Sequence, residues 1–119
     1  MRVSADIFSE SLKKNKDFHI VYNYGDSKAD SYLVMYVRPN GLNENRLGIS
    51  VSKKIGNSVV RHHLTRLIRE SYRLSEERFH IGWDLVVVVR KRAAHATYHQ
   101  IDESLLKLAG LHNLIREEI

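Results

Sequence analysis

At 119 residues and with no cysteine, the chain is sized for one domain around one core, and disulfides and thiolate metal sites are excluded. An apolar fraction of 43% is that of a folded protein, yet no apolar run approaches the roughly 18 residues of a membrane span. The net charge is +5, and its placement matters more than its size: residues 1–52 carry +1, residues 53–73 carry +5 and residues 74–119 carry −1.

The first residues mix Asp6 and Glu10 with Lys13, Lys14 and Lys16, where a signal peptide would be apolar. Residues 1–14 are expected to be an irregular lead-in to a cytoplasmic protein with no membrane partner. Asn15 is placed to cap a short helix, with Asp17 in its first turn and Gly25 closing it. Phe18, Val21 and Tyr22 share one face of that helix. A short strand is expected around Lys28–Asp30. Tyr32–Val37 alternates as a second strand, with Tyr32, Val34 and Tyr36 on one face and Leu33, Met35 and Val37 on the other. The turn signal Arg38-Pro39-Asn40-Gly41 follows. Arg46–Val51 makes a third strand, and the loop between reads as a hairpin connection.

Asn57 or Ser58 can cap a long helix running to about Leu74. At about 100° per residue, Leu64, Leu67, Ile68 and Leu74 fall within about 80° of Val60, as a core stripe. His62, Arg66, Arg69 and Arg73 gather on nearly the opposite side. Leu85–Val89 is a continuous apolar run of leucine and β-branched valines, the pattern of a strand buried on both faces. Thr97-Tyr98-His99-Gln100 is a capping-box pattern for a last helix with Ile101, Leu105 and Leu108 inward. Strand–helix–strand between Arg46 and Val89 makes the third and fourth strands parallel. The expected fold is α+β, a single RNA-binding domain over residues 1–119 in the order α-β-β-β-α-β-α, with one mixed four-stranded sheet packed against helices.

The chemistry concentrates in the segment from Lys53 to Arg73. Lys53 and Lys54 precede the Gly56-Asn57 turn, and a helix N-terminus follows, whose unpaired N–H groups and dipole suit phosphate. Arg61, Arg66, Arg69 and Arg73 then offer guanidiniums along the helix, able to track a nucleic-acid backbone. A run of charge can equally be a solvated face, and Phe18, Tyr22 and Tyr36 can equally be packing residues. His95 and His99 stand four apart, but Thr97 as cap leaves His95 outside the helix, so no metal site is expected. His62 and His63 point about 100° apart on a helix and do not converge as an acid–base pair; they read as RNA contacts when protonated or as plain surface residues. Trp83 reads as a packing residue. Arg90, Lys91 and Arg92 read as further RNA contacts or as a solvated strand exit.

Ser52-Lys53-Lys54, Gly56-Asn57, Arg61, Arg66 and Arg69, with Leu67-Ile68-Arg69-Glu70, are similar to the signature of the ribonuclease P protein family. That family has Ser-Lys-Lys, a Gly-Asn turn and then Arg-Asn-Arg-x-x-Arg-x-x-Arg with a basic residue before the middle Arg. Asp17-Phe18, Tyr22, Gly25, Tyr36 and Arg90-Lys91 extend the resemblance over roughly residues 12 to 110. The chain departs from the pattern at His62, His63 and Thr65, where the family has Asn, Arg and Lys. That removes two permanent charges and one amide.

The resemblance implies a non-catalytic protein subunit of a ribonucleoprotein endonuclease. The RNA subunit and Mg²⁺ would perform hydrolysis, removing the 5′ leader from precursor tRNA. It implies that Lys53, Lys54, Asn57, Arg61, His62, His63, Arg66, Arg69 and Arg73 meet the RNA subunit, and that Phe18, Tyr22 and Tyr36 line a cleft for the leader. Arg90 and Lys91 would add RNA contacts. No protein catalytic residue, protein-bound cofactor or small-molecule substrate is implied. Two other classes share some of these features: a structured-RNA-binding module of ribosomal-protein type, and a metal-assisted nuclease, which would need clustered carboxylates that the basic segment lacks.

Overall fold

The computed structural model describes residues 9–12 and 14–117. Its elements are β1 (Ser9–Ser11), α1 (Asn15–Tyr24), β2 (Asp26–Ala29), β3 (Leu33–Pro39), β4 (Asn45–Ser50), α2 (Ser58–Ser75), β5 (Trp83–Val89) and α3 (Tyr98–Leu111), with 3-10 turns at Glu76–Arg78 and Lys91–His95. The architecture is the expected α+β arrangement with one mixed sheet.

The sheet runs β1-β4-β5-β3-β2. To the four expected strands it adds β1, a short edge strand parallel to β4, with Ser9 opposite Asn45 and Ser11 opposite Leu47. This corrects part of the irregular lead-in; residues 1–8 and Lys13 lie outside the described residues. A three-residue polar strand carries no alternation for the sequence to show, and backbone pairing alone defines it.

β3 and β4 are not a hairpin. β5 lies between them, antiparallel to β3 and parallel to β4. The physical reason is burial: Leu85, Val86 and Val87 are each at most 1% exposed, so this strand belongs at the centre with both faces covered. One face of the sheet, with Leu33, Met35, Val37, Leu47, Leu85, Val87 and Val89, packs on Leu64, Ile68 and Tyr72 of α2 and on Ile101, Leu105 and Leu108 of α3. The other face carries a smaller cluster in which Leu12, Val21 and Val86 are buried.

Three local expectations shift. Lys14, not Asn15, holds the cap position of α1 and makes no side-chain cap bond. β2 begins earlier than expected, with Asp26 and Ser27 already paired to Val37 and Tyr36, and ends at Ala29 because Asp30 belongs to the following turn, where Oδ1 accepts the N–H groups of Tyr32 and Leu33 at 2.8 and 2.9 Å. Leu74 is 62% exposed, whereas Tyr72 is fully buried. The Tyr72 hydroxyl accepts from Asn45 Nδ2 at 3.3 Å and its ring meets Phe79 edge-on at 5.0 Å, so the core face of α2 centres on Leu64, Ile68 and Tyr72, with Val60 and Leu67 packed at its margin and Leu74 outside it. Gly25 closes α1 as expected. A Cβ there would lie 2.5 Å from the Val21 carbonyl oxygen and 2.7 Å from that of Val37.

Candidate nucleic-acid interface

β4 leaves the sheet at Ser50, and the chain turns through two exposed lysines, Lys53 and Lys54. Ile55 anchors this turn by burying its side chain in the main core, so the lysines project from a fixed base. Asn57 then caps α2: its Oδ1 accepts the N–H of Val60 at 3.0 Å. The side-chain oxygen of Asn57 is thus committed to the helix, and its exposed amide nitrogen remains for a ligand.

With Leu64, Ile68 and Tyr72 held against the sheet, the rotation of α2 is fixed. His62, His63, Arg66 and Arg73 are exposed, while Arg61 and Arg69 are half-buried. The guanidiniums of the expected ladder therefore border two shallow grooves that share Arg69. One, of ≈310 Å³, is lined by Ile49 and Val51 together with Ser58, Arg61, Thr65 and Arg69. The other, of ≈460 Å³, is bordered by His63, Arg66, Arg69, Glu70 and Arg73.

The individual cations differ. Arg73 forks onto Glu70, with Nε and Nη2 at 2.9 and 2.8 Å from Oε1. That pair is exposed and contributes about 0–1 kcal/mol, so a phosphate can displace it. Among the described residues Arg66 pairs with no carboxylate. Arg61 Nε is shielded from solvent and makes no hydrogen bond, leaving a donor whose lack of a partner is costly. Thr65, where the resembled family carries lysine, turns its hydroxyl back to the Arg61 carbonyl at 2.9 Å.

On the opposite face of the sheet, Phe18, Tyr22 and Tyr36 come together as expected. Tyr22 meets Phe18 at 6.2 Å between centroids and Tyr36 at 5.0 Å, both edge-on. α1 rests across the row Gly48–Val86–Tyr36. The next row, Ser50–Val88–Val34, is half-buried and forms a floor beside the aromatics. The rings are partly exposed, so their faces and edges are available to stack on bases.

Because β4 and β5 are parallel, with Ser50 opposite Val88, their C-terminal ends lie at the same edge of the sheet. Lys53 and Lys54 leave one strand there, and Arg90 and Lys91 leave the other. Arg90 and Lys91 are exposed, although Arg90 also donates from Nη1 to the Asp30 carbonyl at 2.9 Å.

Sequence reasoning missed Gly48, whose lack of a side chain admits the Phe18 ring, and Val88, half-buried beside the aromatics. A glycine inside an alternating strand was the available signal. It also missed the Arg46–Asp84 pair, joined at 2.8 and 2.6 Å, which locks β4 to β5. Among the described residues no three His, Asp or Glu side chains gather into a metal-holding group, and no helix is long and apolar enough to cross a membrane.

Residues 8–112 match the family model described as Ribonuclease P. The chain is 54% identical over 107 residues to the ribonuclease P protein component of Lachnoclostridium phytofermentans, covering 90% of this chain and 92% of that protein. It is 44% identical to the component of Alkaliphilus metalliredigens, over 90% and 96%. Among solved structures, the RNase P protein of Staphylococcus aureus superposes with a TM-score of 0.83 at 36% identity, over 89% and 97% of the two chains. That of Thermotoga maritima superposes with a TM-score of 0.78 at 33% identity, over 83% and 94%.

Proposed function

The chain belongs to the ribonuclease P protein family, and from that premise we propose that it binds the RNA subunit through the lysine turn and α2 while holding the 5′ leader of precursor tRNA in the cleft of Phe18, Tyr22 and Tyr36. The protein supplies binding and positioning, and the RNA performs the hydrolysis that frees the mature 5′ end. The observation that carries this reading is the arrangement of two surfaces on one sheet: the cations of Lys53, Lys54, Arg61 and Arg66 at one edge and outer helix, and the aromatic cleft on the opposite face.

Each surface has a chemical reason. Lysine and arginine neutralise phosphates without reading sequence, which suits a structured RNA gripped by its backbone. Stacking on aromatic rings is tolerant of base identity, and each stacked base contributes about 1–3 kcal/mol, which suits a leader of varying sequence. His62 and His63 stand on the same surface as Arg66 and add charge only when protonated.

Mg²⁺ favours oxygen ligands, chiefly carboxylates and phosphates. The basic segment offers only Glu70, which is paired with Arg73, so the protein side chains do not fit a resident Mg²⁺ there, and the metal belongs with the RNA. The test is reconstitution with the RNA subunit at low Mg²⁺, with and without this protein. Stimulated leader removal is expected. No stimulation, with RNA binding intact, would leave a general RNA-binding module instead.

A further inference from the structure

α1 has two flanks, and the cleft uses only one. At about 100° per residue, Phe18 and Tyr22 lie on one side of the sheet-facing Val21, and Tyr24 lies about 60° to the other. On that second side the Arg38 guanidinium sits over the Tyr24 ring, 5.9 Å from its centroid. The ring is 74% exposed. Resting on this reading of the cleft, we infer that the Tyr24–Arg38 stack is a second docking platform for single-stranded RNA, one that takes leader nucleotides lying beyond those in the cleft.

Arg38 follows Tyr36 by two residues on β3 and so points to the same face of the sheet. Its neighbour across the ladder is Asp84. That carboxylate is already engaged by Arg46, at 2.8 and 2.6 Å, and by Asn40 Nδ2 at 3.0 Å. Asp84 therefore does not draw Arg38 into an ion pair, and the guanidinium keeps its charge for a phosphate while it steadies the ring. A positively charged group on one side of an exposed aromatic leaves the other side for a base.

Position sets which nucleotides it meets. β3 runs antiparallel to β5, so Arg38 lies at the end of the sheet away from Lys53, Lys54, Arg90 and Lys91. A strand reaching Tyr24 has crossed α1, leaving the side where the RNA subunit docks. The platform thus meets the leader farther from the cleavage site than Tyr22 and Tyr36 do.

The experiment uses the protein reconstituted with its RNA subunit and two precursor tRNAs, one whose leader ends within the cleft and one extended by several nucleotides. The parent is expected to bind the longer leader more tightly. Tyr24→Ala should remove about fivefold of that gain, the loss of one stacked base at the low end of the range. Tyr24→Phe should keep the gain, and short-leader affinity should be the same in all three proteins. Retention of the full gain in Tyr24→Ala overturns the inference. So does equal weakening on both leaders, which would make the ring a support for α1 alone. Tyr36→Ala keeps the two readings apart. A loss on leader-bearing RNA but not on mature tRNA upholds the cleft however Tyr24 behaves, whereas equal losses sink the cleft reading and this inference with it.

Discussion

Phe18 rests so closely on Gly48 that a Cβ there would lie 2.6 Å from the Phe18 ring carbon Cζ and 3.1 Å from Leu12 Cβ. α1 therefore sits at a height above β4 that only glycine permits, and the position of the Phe18 and Tyr22 rings above the sheet follows from it.

Gly48→Ala is expected to displace the Phe18 ring. Overpacking of this kind costs about 1–3 kcal/mol, against which alanine recovers about 0.4–1 kcal/mol by restricting the unfolded chain. The net expectation is a loss of about 1 kcal/mol in a urea titration. Affinity for leader-bearing precursor should fall while affinity for the RNA subunit is retained. Unchanged stability and leader binding would show that the ring moves aside freely.

Asp30 ties the β2–β3 turn to α3. Burial pushes its carboxyl pKa up, but the Ser104 hydroxyl, at 2.6 Å from Oδ2, the N–H groups of Leu33 and Tyr32 and the charge of Lys107 outweigh it and hold the pKa below the ordinary value. A carboxyl lowered in the folded state stabilises the fold at pH above its unfolded pKa of about 3.9, and that contribution fades as pH falls through the lower folded value. The parent should exceed Asp30→Asn in stability by a constant margin from pH 7 to 5. The margin should shrink below about pH 4. Denaturation midpoints across that range test it, and a margin that widens in acid would contradict the assignment.

Much of this molecule was legible because its signals are local. The capping oxygen of Asn57, the Thr97 capping box and the inward Ile101, Leu105 and Leu108 all lie within a few residues of what they organise. The apolar, valine-rich run Leu85–Val89 revealed a central strand by composition. It did not reveal which neighbours that strand would part, because the insertion of β5 between β3 and β4 is a contact between distant segments. Likewise the helical stripe of α2 was visible, but its centre was misplaced. Leu74 looks more apolar than Tyr72, and only the partners Asn45 and Phe79 draw the tyrosine inside. The cations and aromatics of the interface were all nameable from sequence. Their arrangement around two grooves on α2 and the pairing of Tyr24 with Arg38 were not, since the first depends on how α2 is rotated against the sheet and the second on Asp84 being held by Arg46 and Asn40.

The account rests most heavily on phosphate neutralisation by the lysine turn and α2. The direct measurement is the salt dependence of RNA-subunit binding for the parent and for a variant carrying Lys53→Ala, Lys54→Ala and Arg66→Ala. Each lost phosphate contact lowers the slope of log K against log salt by about 0.9, so the variant should bind more weakly with a slope reduced by about 2 to 3. A folded variant with the parent's slope would contradict the assignment of this surface to RNA.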